Sequence, residues 1–235
     1  GAGGDVFLLK TDASGNLQWA KTFGGSSNDA ALSVQQTSDG GYIVAGYTWS
    51  FGAGGPDVFL LKTDASGNLQ WAKTFGGSGD DFASSVQQTS DGGYIVAGYT
   101  LSFGAGWEDV FLLKTDASGN LQWAKTFGGS NADWAFSVQQ TSDGGYIVAG
   151  VTISFGAGGV FLLKTDASGN LQWAKTFGGS SGDDAYSVQQ TSDGGYIVAG
   201  YTWSFGAGGP DVFLLKTDAN GNIGTCAIVG SATPT

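Results

Sequence analysis

The chain of 235 residues has no His, no Arg and no Met, a single Cys, a single Glu and three Pro. Without His it lacks the commonest general base and metal ligand, and without Arg it lacks the planar clamp that grips carboxylates and phosphates. A lone Cys226 makes an intrachain disulfide or a cysteine metal cluster impossible. Positive charge is scarce: nine Lys stand against 20 acids, for a net charge of −11 and a pI near 4.1. Such a surface repels a phosphate backbone, so no nucleic-acid partner is expected. No apolar run approaches the roughly 18 residues of a membrane-spanning helix, and no membrane span is expected. Most enzyme classes are excluded with these residues, and the expectation is a protein that is not an enzyme. Signal-peptide features and Asn-x-Ser/Thr sequons are also missing, and the chain opens at Gly1 in the middle of a repeat, as a processed or shortened product would.

What the chain has in abundance is Gly, 43 residues, and internal repetition. The run Val-Phe-Leu-Leu-Lys-Thr-Asp-Ala starts at Val6, Val58, Val110, Val160 and Val212, and four copies of Ser-Val-Gln-Gln-Thr-Ser-Asp-Gly-Gly-Tyr-Ile-Val-Ala-Gly start at Ser33, Ser85, Ser137 and Ser187. A period near 50 falls in the range of propeller blades. The units run over about 27–78, 79–130, 131–180 and 181–220, with 1–26 as a partial blade and 221–235 as a terminal strand and Thr/Pro tail.

Each unit divides at its turns into four short segments, a to d. In the first full unit these are Leu32 to Thr37, Tyr42 to Thr48, Val58 to Lys62 and Leu69 to Phe75. Segments b and c are apolar on both faces, which suits the middle of a sheet sandwiched between neighbouring sheets. Segment d alternates, as an edge strand should, and the polar segment a suits the rim of a central channel. Asp39-Gly40-Gly41 and Asp64-Ala65-Ser66-Gly67-Asn68 are hairpin signals. The expected fold is all-β: a β-propeller of four-stranded antiparallel blades, four full and one partial, closing with four or five blades.

Residues 57–62, 64–68, 75–81 and 91–100 together resemble the bacterial and archaeal SBBP β-propeller repeats, and more loosely kelch blades, over residues 1 to about 220. The resemblance implies a secreted or cell-surface protein, and hence an extracellular or cell-surface localisation. It implies no single task, because propellers serve binding, structural and catalytic roles.

The termini do not match. The chain opens with segments c and d and ends with another c, with residues 223–229 as a degenerate fifth d. Three readings stay open: a compact ring with one segment left over, a five-bladed ring with an incomplete blade, or closure between chains. Closure between chains would use Asp5, Val6, Phe7, Leu8, Leu9, Trp19, Phe23 and Cys226, giving a homo-oligomer or head-to-tail filament.

Two kinds of candidate site remain. Asp80 with Asp81 and Asp183 with Asp184 offer paired carboxylates for Ca²⁺, against the plainer reading that they keep a rim soluble; no other cofactor is expected. The Trp repeated in segment d reads as packing between blades. The unit-specific aromatics Tyr47, Trp49, Tyr99, Trp107, Trp134, Tyr201 and Trp203 read either as an assembly surface or as stacking platforms for glycans. The recurrent Lys residues read as a solvated outer wall.

Overall fold

The computed structural model describes residues 3–156 and 158–224. These contain 17 strands and no helix. A two-stranded sheet of β1 (Val6–Thr11) and β2 (Leu17–Phe23) comes first. Three meanders of four strands follow: β3 (Asp29–Gln36), β4 (Tyr42–Thr48), β5 (Asp57–Thr63) and β6 (Leu69–Phe75); then β7 (Asp81–Gln88), β8 (Tyr94–Thr100), β9 (Asp109–Thr115) and β10 (Leu121–Phe127); then β11 (Asp133–Gln140), β12 (Tyr146–Thr152), β13 (Gly159–Thr165) and β14 (Leu171–Phe177). A three-stranded sheet of β15 (Asp183–Gln190), β16 (Tyr196–Thr202) and β17 (Asp211–Thr217) closes the described chain.

Segments b and d lie where the turn signals place them. Segment c is one residue longer at each end than expected, and segment a starts three residues earlier, at Asp29 rather than Leu32. The reason is a side chain. Asp29 is buried and accepts hydrogen bonds from the Thr48 and Ser50 hydroxyls, so its backbone pairs with Thr48 and extends the sheet. A bulge between Ala31 and Ser33 absorbs the extra length and resets the alternation. The a-b hairpin turns at Gly40, whose φ of 81° is the left-handed region that Gly occupies without penalty.

The chain forms two compact units, residues up to Phe103 with Phe111–Thr126, and Gly104–Val110 with the chain from Phe127 on. Within the first unit, Val6 and Leu8 pack on Val44, Phe59 and Leu61, and the opposite face of the same sheet (Ile43, Ala45, Val58, Leu60) packs on Val86, Tyr94, Val96, Phe111 and Leu113. The second unit repeats this junction with Ile147, Ala149, Val160 and Leu162 against Val188, Tyr196, Val198, Phe213 and Leu215. The central strands therefore bury both faces, as their continuous apolar runs require. The Trp of segment d closes each junction. Trp19, Trp71 and Trp173 lie 5.6, 5.8 and 5.8 Å from Tyr42, Tyr94 and Tyr196 of the next sheet.

Candidate functional site

Three of the recurrent lysines, those of the central segment-c copies, are not part of a solvated wall, whereas Lys216 is exposed. Lys62, Lys114 and Lys164 are each 3% exposed. The Lys62 ammonium donates to both Asp39 carboxylate oxygens at 3.1 and 2.8 Å, to the Thr63 carbonyl at 2.9 Å and to Gln70 Oε1 at 3.1 Å. Lys114 and Lys164 make the same four bonds. The bulge that follows Lys62 in β5 turns the aliphatic stem into the sheet, and the Asp of the neighbouring hairpin receives the charge. Lys62 chiefly, with Thr37, holds the Asp39 carboxyl well below the usual range. At Asp91 burial pushes upward, but bonds from Lys114 and Thr89 win and set it at about 2; Asp143 is likewise held at about 2 by Thr141 and Lys164. These clusters tie the a-b hairpin to strand c and leave no donor over for a ligand.

The carboxylates proposed as Ca²⁺ ligands are not brought together as read. Asp81 and Asp183 are buried first residues of strands, whereas Asp80 and Asp184 are only half-buried. Asp183 accepts hydrogen bonds from Thr202, from the Ser204 hydroxyl at 2.7 Å and from the Gly179 amide at 2.8 Å. Asp184 instead accepts a hydrogen bond from the Tyr186 hydroxyl, and its bond to Tyr201 is the main reason that phenol is pushed up. No group of three or more His, Cys, Asp or Glu able to hold a metal ion occurs among the described residues. The Asp-x-Ser/Asn-Gly-Asn turns are Asx turns, in which Asp64 accepts from the Ser66 and Asn68 amides at 2.8 and 2.9 Å.

The unit-specific aromatics fall into two groups. Tyr47 and Tyr99 are half-buried and meet Phe82 at 4.8 and 4.9 Å; Tyr201 meets Tyr186 at 5.8 Å, which stacks on Phe136 at 5.1 Å. These form ladders between sheets. Trp49, Trp203 and Trp107 are more than half exposed, while Trp134 is half-buried in β11. The loop carrying Trp49 is held firmly: the Trp49 amide donates to the Asn28 carbonyl at 2.8 Å, and Thr48 Oγ1 accepts from the Ser50 and Phe51 amides. Leu101, Phe103, Ile153 and Phe155 take the same loop places in other repeats and are also exposed.

Strands β1 and β17 carry large apolar exposure. Val212 and Leu214 of β17 are 85% and 68% exposed, whereas Val58 and Leu60, identical residues of an identical heptapeptide, are fully buried. Phe7 and Leu9 of β1 are 60% and 47% exposed, whereas their equivalents Phe59 and Leu61 are buried. Val34 is exposed where Val86, Val138 and Val188 are buried. Of the residues expected to serve closure between chains, Val6, Leu8, Trp19 and Phe23 instead pack within the first unit, and Asp5 lies against Gly24. Cys226 and most of residues 223–229 lie outside the described residues.

Sequence reasoning passes over two features. One is the buried Lys cluster, for which the run gives no signal. The other is the Asp that opens segment c, present at Asp5, Asp57, Asp109 and Asp211 and replaced by Gly159 in the short repeat, a pattern visible in the repeat itself.

Comparison with known proteins is consistent with this geometry. A family described as a domain of unknown function (DUF5122) β-propeller matches residues 191–223. Regulatory protein FlaEY of Caulobacter vibrioides is 31% identical over 140 residues, half of this chain; the match spans only 15% of that protein's length. Among solved structures, Sqt1 of Chaetomium thermophilum aligns over 91% of this chain and 53% of its own with a TM-score of 0.50 at 12% identity. A Bacteroides caccae protein of unknown function aligns over 92% and 90% with a TM-score of 0.48 at 10% identity. The repeated four-stranded antiparallel sheets and the family match together identify the chain as a β-propeller repeat protein.

Proposed function

We propose that this chain is a non-enzymatic structural module that works outside the cell or at its surface and associates with copies of itself, giving an adhesive or filamentous assembly. The observation that carries the reading is the pair of exposed ends. Val212 and Leu214 present the face that Val58 and Leu60 bury against Phe111 and Leu113, and Phe7 and Leu9 present the matching counter-face. A second copy bringing its Phe7 and Leu9 onto Val212 and Leu214 repeats a junction that the chain already builds internally. Contacts of this head-to-tail kind are heterologous and extend unless the rotation closes.

Covering four such side chains stabilises by about 6–12 kcal/mol gross, at about 1.5–3 each. Lost rigid-body freedom costs about 4–15 kcal/mol. The two are of one size, so the association is weak and concentration-dependent. Analytical ultracentrifugation over a wide concentration range tests it. The expected result is mass growth in the parent chain that Val212→Lys with Leu214→Lys abolishes; a strict monomer at every concentration overturns the reading. The extracellular placement rests on the resemblance to SBBP repeats and on the acidic composition.

A second reading, a multivalent glycan-binding propeller, is favoured by exposed Trp49 and Trp203 on firmly held loops. A glycan array with Trp49→Ala and Trp203→Ala decides it, and silence across the array removes it.

A further inference from the structure

Within each unit, the Asp opening one segment c meets the Asp opening the next segment a. In the first unit Asp5 meets Asp29 in this way, and Asp57 meets Asp81, these two 2% and 0% exposed; in the second unit they are Asp109 and Asp133, 1% and 2% exposed. A Gly separates each pair. A Cβ on Gly76 would overlap Asp57 Oδ1 and lie 2.5 Å from Asp81 Oδ2, and one on Gly128 would overlap Asp109 Oδ1 and lie 2.9 Å from Asp133 Oδ2. The two carboxylates thus converge on one small space that only a residue without a side chain leaves open.

Part of each carboxylate is satisfied. Asp57 Oδ2 accepts from the Ala53 amide at 2.7 Å, and Asp81 Oδ2 accepts from the Gly77 amide at 2.8 Å and the Ser102 hydroxyl at 2.6 Å. In the second unit the Ala105 amide serves Asp109 and the Gly129 amide serves Asp133. The other oxygens are not. Asp57 Oδ1, Asp81 Oδ1, Asp109 Oδ1 and Asp133 Oδ1 are buried without a hydrogen-bond partner. The salt bridges of Lys62, Lys114, Lys164 and Lys216 go to the hairpin residues Asp39, Asp91, Asp143 and Asp193, not to these pairs. Burial and, after it, the neighbouring carboxylate push Asp57 and Asp109 upward.

The short repeat supplies a comparison inside the same molecule. There Gly159 stands where Asp57 and Asp109 stand, and Asp183 faces no second carboxylate. Asp183 keeps its bonds to Thr202, Ser204 and Gly179, has no orphaned oxygen, and is held below its usual range despite burial. Asp5 and Asp29 also converge, on Gly24, yet Asp29 keeps its Thr48 and Ser50 bonds, so the unmet need on both carboxylates belongs to the Asp57/Asp81 and Asp109/Asp133 pairs.

We propose that the Asp57/Asp81 and Asp109/Asp133 pairs each bind a hard divalent cation, Ca²⁺ or Mg²⁺, that bridges the carboxylates across Gly76 and Gly128. Two buried like charges this close need a counter-charge, and carboxylate oxygens suit a hard cation. Gly76 and Gly128 are solvent-exposed, so water completes a shell that two carboxylates cannot fill. The site joins the end of one sheet to the start of the next, so an occupied site locks consecutive blades together.

The test is calorimetric titration and thermal unfolding of the full chain at pH 7, after chelator treatment, with Ca²⁺ and Mg²⁺ in separate arms. The parent chain is expected to bind at least one of them and to melt higher when it is bound. Asp57→Asn with Asp109→Asn is expected to remove binding and the thermal response while raising the melting temperature of the cation-free protein, because the repulsion is gone. Asp64→Asn with Asp116→Asn, in exposed Asx turns, is expected to leave the response intact. The proposal is overturned if neither cation binds the parent chain, if the Asp57/Asp109 variant responds as the parent does, or if infrared spectra at pH 7 show a neutral carboxyl that vanishes in that variant, the mark of a shared proton.

Discussion

Lys62 shows how one side chain is read differently in sequence and in place. At the end of an apolar run it looks like the point where a strand leaves the core, and nothing in the run reveals the bulge that turns it inward. What decides its role is Asp39, 23 positions away, on a hairpin that only the meander brings near. The pair is unequally buried, with 4% of the Lys side chain and 55% of the Asp side chain exposed. Removing the two partners should therefore not cost the same. Asp39→Ala leaves a buried ammonium without its counter-charge and is expected to cost about 2–4 kcal/mol. Lys62→Met keeps the stem volume and leaves an Asp that water can reach, at about 1–2 kcal/mol. Denaturant unfolding of both variants checks the order, and equal costs would contradict it.

The same residues set opposing pH dependences. Asp91 and Asp143, folded at about 2 against an ordinary 3.8, contribute stability that is present above 3.8 and is lost as pH falls toward 2. Asp57 and Asp109 are raised, so their contribution has the other sign: it is present at acid pH and is lost as pH rises through their folded values. In cation-free buffer the Asp57→Asn, Asp109→Asn variant is accordingly expected to gain most over the parent at neutral pH and to lose that advantage near pH 3. Thermal midpoints measured from pH 3 to 8 check this.

At the scale of the strand, the sequence was most legible where both faces of a segment meet protein. Segments b and d begin and end where their turn residues say, because the hairpin geometry is local. Segment a was misplaced because its first residue is an Asp, which alone argues for a loop; only the hydroxyls of Thr48 and Ser50, on the neighbouring strand and the loop after it, make it a strand residue. The Trp of segment d was legible for a related reason. A residue repeated at every unit serves what every unit shares, which is the junction with the next sheet. Trp71→Ala, which removes the ring packed on Tyr94, is expected to destabilise by about 2–3 kcal/mol, less than a fully buried Trp because Trp71 is only half-buried. Trp107→Ala, at a loop position that is 68% exposed, is expected to change stability by no more than about 0.5 kcal/mol. Chemical denaturation of the two single variants separates packing Trp from surface Trp.

At the scale of the molecule, the exposure of β1 and β17 was not legible in the sequence, since it depends on which faces stay uncovered. The heptapeptide Asp-Val-Phe-Leu-Leu-Lys-Thr occurs as β5, β9 and β17, so intrinsic propensity is identical and only context differs. β5 has a hydrogen-bonded strand on either side and no exposed residue; among the described residues β17 has one neighbour, β16, and alternates between buried and exposed. Amide exchange follows local opening, which is cheapest where few contacts are lost. Residues 211–217 are therefore expected to exchange much faster than 57–63 in dilute protein. Peptides that run on into Asn220 and Ile223 have no counterpart in the other repeats, so mass spectrometry can tell this copy from the rest. If a second copy covers Val212 and Leu214, protection of 211–217 rises with protein concentration while 57–63 stays constant, and Val212→Lys with Leu214→Lys removes the rise. Exchange at 211–217 that is the same at every concentration would mean that no copy reaches this face, and the self-association drawn from it would fall.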